Sequence, residues 1–354
     1  MASFQWAGTV GQFAAALLET LPHPALIIDE NVRIAAANGA ARKILPNLRL
    51  REPLILALRA PDVLESVARV LTSRRPETTL LHERVPLERV YEVSITPLEV
   101  PSQSVTAVVL ALTDMTEARR LEQMRVNFVA NASHELRTPL ASILGFVETL
   151  QGPAKDDSLA RGKFLEIMRD QARRMSRLVD DLLSLSRIEQ KAHVRPEQRV
   201  DLSLIVRHIC ETLQPLAKES AVRLDIHVEP NLQIAGDHDE LARVTENLIE
   251  NAIKYGVWGK DSEIDRVEVS LIHDGTEARL AVRDFGPGIE ADHLPRLTER
   301  FYRVDDGLSR AKGGTGLGLA IVKHIVARHR GRMNIESQIN HGSVFSASFP
   351  LASV

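Results

Sequence analysis

The sequence has a single cysteine, Cys210, among its 354 residues. One cysteine excludes an internal disulfide framework and any cysteine-rich zinc site. Cys210 lies in the apolar run from Leu204 to Leu213, where a small buried hydrophobe is a simpler interpretation than a nucleophile. We therefore expect the chain to work in a reducing compartment such as the cytoplasm.

Long apolar runs and a dominant charge sign are also missing. The longest apolar stretches, such as Val105 to Leu112, fall well short of the ~20 residues that a transmembrane segment needs. Residues 1–20 lack the basic start and apolar core of a signal peptide, but membrane segments upstream, or membrane association through a partner, are compatible with this sequence. The 44 basic and 47 acidic residues nearly cancel, which argues against a nucleic-acid partner.

After an N-terminal segment of residues 1–20, residues 21–115 alternate short strand-like pieces with polar turns. Strands are predicted at Ala25 to Ile28, Val32 to Ile34, Tyr91 to Ile95 and Val105 to Thr113. This pattern, with the exit sequence Asp114-Met115-Thr116, resembles a PAS sensor domain, in which such an exit leads into a signalling helix. The resemblance implies a compact α+β module.

Beyond Thr116 the hydrophobic pattern becomes helical. Apolar residues recur at spacings of three and four from Leu121 to Leu150 and again from Phe164 to Ile188, with a Gly-Pro break between the two stripes. The pattern predicts an antiparallel helical hairpin over residues 116–192. Because two helices cannot bury such a stripe alone, we expect a homodimer with a four-helix bundle, unless the hairpin packs on its own flanking domains.

His134 lies on the first of these helices, two residues from Ala132 and from Leu136. Two residues are about 200° of helical rotation, so His134 is predicted to face solvent. Thr138 follows one turn later on the same face. Pro139 lacks an N–H group and is expected to bend or loosen the helix near the histidine.

The run Phe128-Val129-Ala130-Asn131-Ala132-Ser133-His134-Glu135-Leu136-Arg137-Thr138-Pro139-Leu140 resembles the phospho-acceptor box of sensor histidine kinases. The resemblance implies that His134 accepts a phosphoryl group from ATP. Glu135 is then expected to accept or orient the other ring proton of His134. Glu135 to Thr138 also matches the Glu-x-x-Thr pattern of bifunctional members, in which Thr138 would position a water for phosphatase activity.

Residues 193–354 alternate helical and strand patterns, as an α/β sandwich does. Helices are predicted at Leu202 to Ala217, Glu240 to Tyr255 and Leu317 to His329, and strands at Val222 to Val228, Val267 to Ile272, Arg279 to Val282, Met333 to Glu336 and Val344 to Phe349. The fold class is therefore multidomain α+β. It comprises a PAS-like domain, a helical hairpin and a C-terminal α/β sandwich.

Three clusters in this last region suit a nucleotide. Asn247 and Asn251 are one helical turn apart, their amide oxygens suit Mg²⁺, and Lys254, followed by Tyr255, suits a phosphate. Asp284 ends a predicted strand before Gly286 and Gly288, and it can accept a hydrogen bond from an exocyclic amine. A glycine run precedes a helix and can expose N–H groups to phosphates; it comprises Gly313, Gly314, Thr315, Gly316, Leu317, Gly318 and Leu319.

Each cluster alone also fits a structural role. Their order, with Phe301-Tyr302-Arg303 before the glycine run, resembles the ATP-binding domain of histidine kinases and of their gyrase-type and chaperone relatives. The resemblance, closest to phosphate-regulon-type sensor kinases, implies ATP and Mg²⁺ as cofactors. It adds Tyr255 and Arg303 to the nucleotide-binding residues and implies a response regulator receiver domain as the partner.

A kinase of this kind needs a flexible linker between the hairpin and the ATP-binding domain. The ATP-binding domain must swing to reach His134, so residues 191–200 are expected to flex, with Arg195-Pro196 as the hinge.

A phosphatase-dominant protein or a non-catalytic dimeric scaffold is the first alternative function, and intact Asn251, Asp284 and glycine residues argue against decay of the ATP-binding site. A mechanical ATPase of the gyrase type is the second, and it has no need of an exposed His134 box.

Overall fold

The computed structural model of the chain describes residues 9–83, 89–99, 106–191, 193–257, 265–305 and 314–352. It divides into two compact units, Met1–Asn127 and Phe128–Val354, which are considered in turn.

The first unit is a five-stranded antiparallel sheet with short helices. Its strand order is β2-β1-β5-β4-β3. The elements are α1 (Thr9–Glu19), β1 (Ala25–Asp29), β2 (Ile34–Ala37), α2 (Gly39–Ile44), α3 (Leu54–Ala57), α4 (Pro61–Ser73), β3 (Glu77–Glu83), β4 (Arg89–Glu99) and β5 (Thr106–Asp114). The predicted α+β module is confirmed, although the four helices were not predicted individually.

The second strand begins two residues later in the structure than the sequence pattern predicts. Asp29 Oδ1 accepts hydrogen bonds from the backbone N–H groups of Asn31 and Arg33, and Val32 has a φ of 55°, so these residues form a turn. β2 therefore starts at Ile34 rather than at Val32. The predicted start of the last strand, Val105, lies outside the described residues.

Asn38 ties the end of α1 to this sheet. Its side chain is 1% exposed and caps the start of α2. The amide group donates to the backbone carbonyls of Leu18, Leu21 and His23 and accepts from the backbone N–H groups of Ala25 and Ala41. One buried side chain thus satisfies backbone groups of four segments that would otherwise be left unpaired.

The predicted hairpin is present as two long helices, α5 (Thr116–Gln151) and α6 (Ser158–Gln190). The carboxylate of Asp157 caps α6 by accepting from the backbone N–H groups of Leu159 and Ala160. Pro139 is buried inside α5, and the helix continues through it for another three turns. The expected loosening at Pro139 therefore does not interrupt the helix.

The rest of the second unit is a two-layer α/β sandwich. Its elements are β6 (Arg199–Asp201), α7 (Leu202–Glu219), β7 (Val222–Val228), β8 (Gln233–Ala235), α8 (His238–Tyr255), β9 (Asp265–Asp274), β10 (Glu277–Asp284), a short 3-10 helix (Leu294–Arg296), α9 (Gly318–Arg328), β11 (Arg332–Gln338) and β12 (Gly342–Pro350). The main sheet has the order β11-β12-β10-β9-β7, with only β7 and β9 parallel, and β6 pairs with β8 separately.

The sandwich core extends into the hairpin. Helices α7, α8 and α9 pack on the sheet, and α6 packs against α9. Leu178, Leu185 and Ile188 of α6 are at most 3% exposed and belong to the same apolar cluster as the sheet residues. The second half of α6 is therefore fixed to the sandwich by burial of apolar side chains.

Candidate active site

His134 is exposed on α5, as its position opposite the apolar stripe predicted. The neighbouring Ala132 and Leu136 are half-buried, and Leu136 packs against the sandwich core. Thr138 is also exposed, and its Oγ1 donates to the backbone carbonyl of His134 at 3.2 Å. The imidazole thus stands on a solvent-facing surface, open to an approaching phosphoryl donor.

The Glu135 carboxylate faces two arginines, Arg303 and Arg174. Arg303 donates to both carboxylate oxygens, at 2.9 and 3.3 Å, and Arg174 of α6 donates to Oε2 at 3.1 Å. The three side chains are only 16%, 4% and 15% exposed for Glu135, Arg303 and Arg174. The group expected to serve as a base is therefore held in a partly buried ion-pair network in this conformation.

Helix α8 carries the paired asparagines. The Asp237 carboxylate caps the helix, which fixes the start of the helix and hence the faces that Asn247 and Asn251 present. Both side chains are half-buried, and Asn247 Nδ2 donates to the backbone carbonyl of Arg243 at 2.8 Å. Their amide oxygens remain the hard oxygen ligands that Mg²⁺ prefers.

Lys254 and Tyr255 lie in the last turn of α8. Lys254 Nζ is 2.6 Å from Glu250 Oε2, and its side chain is 18% exposed. Tyr255 is half-buried. In this conformation the ammonium group predicted to contact a phosphate is neutralised by a carboxylate one turn earlier on the same helix.

Asp284 is the last residue of β10 and is 4% exposed. Its Oδ1 accepts from the backbone N–H groups of Gly286 and Ser343, at 3.1 and 3.0 Å. Burial raises the pKa of this carboxyl group, and these hydrogen bonds partly oppose that effect. These hydrogen bonds hold the side chain in a fixed orientation, which a carboxylate that accepts a hydrogen bond from a base requires.

Glycines allow the chain to close tightly around Asp284. A Cβ at Gly256 would lie 2.2 Å from the Asp284 Cβ, and a Cβ at Gly286 would lie 2.5 Å from the Gly256 carbonyl carbon. Gly288 has a φ of 72°, and a Cβ there would lie 2.1 Å from the Gln338 carbonyl oxygen. The Asp-x-Gly-x-Gly turn therefore packs directly on the end of α8.

The glycine run meets the other part of α8. Gly316 has a φ of 73° and accepts a backbone hydrogen bond from Phe301, while Leu317 is fully buried beneath the start of α9. A Cβ at Gly318 would lie 2.4 Å from Asn247 Oδ1. The Asp284 turn and the glycine run thus contact opposite ends of the α8 face that carries the asparagines. Gly313 lies outside the described residues.

This loop contacts the hairpin directly at Thr315 and through Arg303 at Gly314. Thr315 Oγ1 donates to Asp181 Oδ2 of α6 at 2.7 Å, and Asp181 also accepts a hydrogen bond from Arg243 of α8. The Gly314 carbonyl accepts from Arg303 Nη2 at 3.0 Å, and Arg303 in turn pairs with Glu135 of α5. The predicted phosphate loop is therefore docked on α6 and linked to α5 by one arginine.

The predicted linker, residues 191–200, is held by a side chain of the sandwich. Arg328 Nε donates to the backbone carbonyls of Lys191 and Val194, at 3.2 and 3.0 Å, and its guanidinium also pairs with Glu240. The Arg328 and Glu240 side chains are 7% and 16% exposed. Any swing of the sandwich about Arg195-Pro196 must therefore break the contacts of Arg328 with Lys191 and Val194, whereas Glu240 belongs to the sandwich and moves with Arg328.

Several residues of the site were not singled out from the sequence. Asp181, Arg174 and Arg243 looked like ordinary charged positions on helices, and no local pattern connects them to the loop. Ser343 also contributes to the site. Its backbone N–H group is a hydrogen-bond donor to Asp284.

The donors fit a nucleotide with a metal ion. Amide oxygens, a buried carboxylate and glycines with no room for a Cβ surround one helix face. Within the described ranges no group of three or more His, Cys, Asp or Glu side chains is arranged to hold a metal. A cation here would therefore need ligands from phosphates in addition to the asparagines.

No helix in the described parts of the chain combines the length and hydropathy needed to span a bilayer.

Three family profiles match successive parts of the chain. Residues 18–120 match the PAS fold. Residues 124–191 match the His Kinase A (phospho-acceptor) domain, and residues 236–353 match the histidine kinase-, DNA gyrase B-, and HSP90-like ATPase. The matches cover the sheet unit, the hairpin and most of the sandwich.

Three relatives with similar sequences are named as sensor proteins or sensor kinases. The phosphate regulon sensor protein PhoR of Pseudomonas aeruginosa is 40% identical over 241 residues, which are 68% of this chain and 53% of PhoR. The sensor protein kinase WalK of Staphylococcus haemolyticus is 37% identical over 70% of this chain and 40% of WalK. The sensor-like histidine kinase SenX3 of Mycolicibacterium smegmatis is 36% identical over 68% of this chain and 62% of SenX3. The chain thus spans about half the length of these relatives.

Proposed function

Because the chain belongs to the PAS-containing sensor histidine kinases, we propose that it phosphorylates its own His134 with ATP and passes the phosphoryl group to an aspartate of a response regulator. The observation that supports this most is the pairing of an exposed histidine on a long helical hairpin with a glycine-lined nucleotide cradle in the same compact unit. Neither feature alone would distinguish a kinase from a scaffold or an ATPase.

The nucleotide is held along the face of α8. Asp284 accepts a hydrogen bond from the adenine amine, and the glycine loop from Gly314 to Gly318 surrounds the phosphates with backbone N–H groups. Asn251, assisted by Asn247, would hold Mg²⁺, which would neutralise developing charge on the phosphates. Lys254 leaves Glu250 and Arg303 leaves Glu135 to contact phosphate oxygens, and Tyr255 lines the same face.

The transfer step uses groups of the hairpin. An imidazole nitrogen of His134 attacks the γ-phosphorus, a new N–P bond forms, and the P–O bond to ADP breaks with its electron pair on ADP. Glu135 takes or orients the proton on the other ring nitrogen. This requires that Glu135 exchange Arg174 and Arg303 for His134, and that the contacts of Arg328 with the linker open.

A homodimer is supported by apolar side chains that α5 leaves exposed. Leu121, Met124, Leu140 and Leu144 are 54%, 51%, 46% and 54% exposed in the single chain. A second copy would cover these side chains in a four-helix bundle, and removal of such apolar area from water stabilises association. The receiver domain of the response regulator then docks along the hairpin near His134.

A phosphatase-dominant role is the second candidate, and one observation favours it. Glu135 is engaged by two arginines while Thr138 is exposed beside His134, so the water-positioning group is available when the base is not. In this role Thr138→Ala should abolish dephosphorylation of the regulator and leave kinase activity in place. Retained dephosphorylation would remove Thr138 from the assignment.

The kinase proposal is tested by incubating the full chain with γ-labelled ATP and Mg²⁺. His134→Gln should take up no label, while His227→Gln, which changes another exposed histidine, should label like the natural chain. The label should be acid-labile and alkali-stable. Equal labelling of His134→Gln, or an acid-stable label, would refute the assignment.

A further inference from the structure

We propose that Asp181 is an internal competitor of the ATP phosphates, and that the docked hairpin lowers nucleotide affinity through it. The carboxylate accepts from Thr315 Oγ1 at 2.7 Å and from Arg243, and its side chain is 20% exposed. It is therefore an anion placed on the glycine loop by α6. This inference rests on the proposed function and identifies how the same site is regulated.

The groups that Asp181 occupies are those that an anionic ligand would use. Thr315 lies in the predicted phosphate loop, and its Oγ1 also accepts from the backbone N–H group of Leu317, at the start of α9. Arg243 lies one turn before Asn247, whose amide donates to the Arg243 carbonyl. A hydroxyl and a guanidinium beside a helix N-terminus favour negative charge, and the Asp181 carboxylate supplies it.

Triphosphate in the same loop would meet this carboxylate at short range. Asp181 is mostly shielded from water, so repulsion between it and a phosphate is screened less than on an open surface. The triphosphate also competes for the Thr315 hydroxyl. Binding of ATP and docking of Asp181 therefore oppose each other.

Gly314, the loop residue before Thr315, couples this competition to the histidine site through Arg303. Arg303 contacts the Gly314 carbonyl and the Glu135 carboxylate at once. When nucleotide displaces the loop, the Gly314 carbonyl moves and Arg303 moves with it. Glu135 is then released from one of the two arginines. ATP loading and liberation of the base beside His134 thus belong to one transition.

Thermodynamic linkage makes the coupling reciprocal. If docking of Asp181 weakens ATP binding by some factor, ATP weakens docking by the same factor. A substitution that removes the charge of Asp181 should therefore tighten nucleotide binding even though the residue belongs to the hairpin.

The test is calorimetric titration of the full chain with a non-hydrolysable ATP analogue and Mg²⁺, comparing Asp181→Asn with the natural chain. Asparagine keeps the shape and removes the charge. The dissociation constant of Asp181→Asn should fall at least about fivefold, the lower end of ordinary allosteric coupling. Hydrogen exchange of residues 314–318 in the nucleotide-free chain should also become faster.

Asp180→Asn is the matched control, because Asp180 is the exposed neighbour on the same helix and loses the same charge. Its affinity should stay within about twofold, since exposed charges interact weakly. Unchanged or weaker binding by Asp181→Asn, or equal tightening by Asp180→Asn, overturns the competition while leaving the kinase proposal intact. Absence of nucleotide binding by the natural chain and both variants would refute the proposed function and the competition together.

Discussion

Arg328 is expected to be the strongest single tie between the linker and the sandwich. Its side chain is 7% exposed, contacts the carbonyls of Lys191 and Val194, and pairs with Glu240. Arg328→Ala removes the donor to both carbonyls and leaves the Glu240 carboxylate without its cation. Glu240 Oε2 is already buried without a hydrogen-bond partner among the described residues, and the nearby His329 Nδ1, 3.8 Å away, donates to the Ile325 carbonyl instead.

The expected loss of local stability is about 3 kcal/mol. The linker loses two hydrogen bonds from a charged group, and each such bond is worth about 1.5–3 kcal/mol. Lys191 and Val194 are exposed, so water can replace the lost donor, which places the expected value at the lower end. A change of this size corresponds to roughly a hundredfold increase in the population of the opened linker.

Hydrogen exchange measures this opening directly. Peptides spanning residues 186–200 and 236–245 should exchange roughly a hundredfold faster in Arg328→Ala. Lys323→Ala, an exposed change on the same helix, should leave them unaltered. The double variant Glu240→Gln with Arg328→Gln should recover part of the loss, because no charge is left buried. Exchange rates that stay within about twofold of the natural chain would refute the role assigned to Arg328.

Three further changes test the nucleotide site and the core. In Gly318→Ala the new Cβ meets Asn247 Oδ1 at 2.4 Å, so the affinity for Mg²⁺ and ATP should fall roughly tenfold in calorimetry, since overpacking costs about 1–3 kcal/mol. Burial raises the pKa of Asp284, so the folded chain loses stability as the pH rises from the unfolded pKa through the folded one. Asp284→Asn should therefore be the more stable protein at neutral pH in urea titrations, with an advantage that shrinks towards pH 4, and it should bind nucleotide poorly. Burial raises the pKa of Cys210 to about 11, so a thiol reagent at pH 8 should react only after unfolding.

Each of these expectations has a control or a contrary result. Gly162→Ala, at a helical position with no atom within 4 Å of the added Cβ, should leave nucleotide affinity unchanged. A stability difference for Asp284→Asn that is constant with pH would contradict the burial argument. Rapid labelling of Cys210 in the folded chain would show that the core around α7 opens easily.

Local patterns predicted the hairpin and the sandwich elements well. The period of the two apolar stripes was enough to predict both long helices and the exposure of His134, because helix geometry fixes which residues share a face. β7 was predicted from Val222 to Val228, the bounds that the structure has. The start of β2 was missed because the conformation of Val32 depends on a side chain three residues earlier, Asp29.

Contacts between distant parts of the chain were beyond sequence reasoning. Glu135 and Arg303 are 168 positions apart, and Thr315 and Asp181 are 134 apart. Residue type shows that these side chains are charged or polar, and helical spacing gives the faces of Glu135 and Asp181, but neither shows which partner the fold brings to them. The three-residue strands β6 and β8 were missed for the same reason, since their pairing rather than their composition defines them.

The identity of the phosphorylated residue is the most direct test of the proposed function. The full chain is incubated with ATP and Mg²⁺, digested under alkaline conditions that preserve phosphohistidine, and mapped by mass spectrometry. The phosphoryl group should lie on the peptide that contains His134, and it should be lost after brief acid treatment. A phosphoryl group on a different histidine, or an acid-stable one on a serine or threonine, would contradict the assignment of His134 as the acceptor.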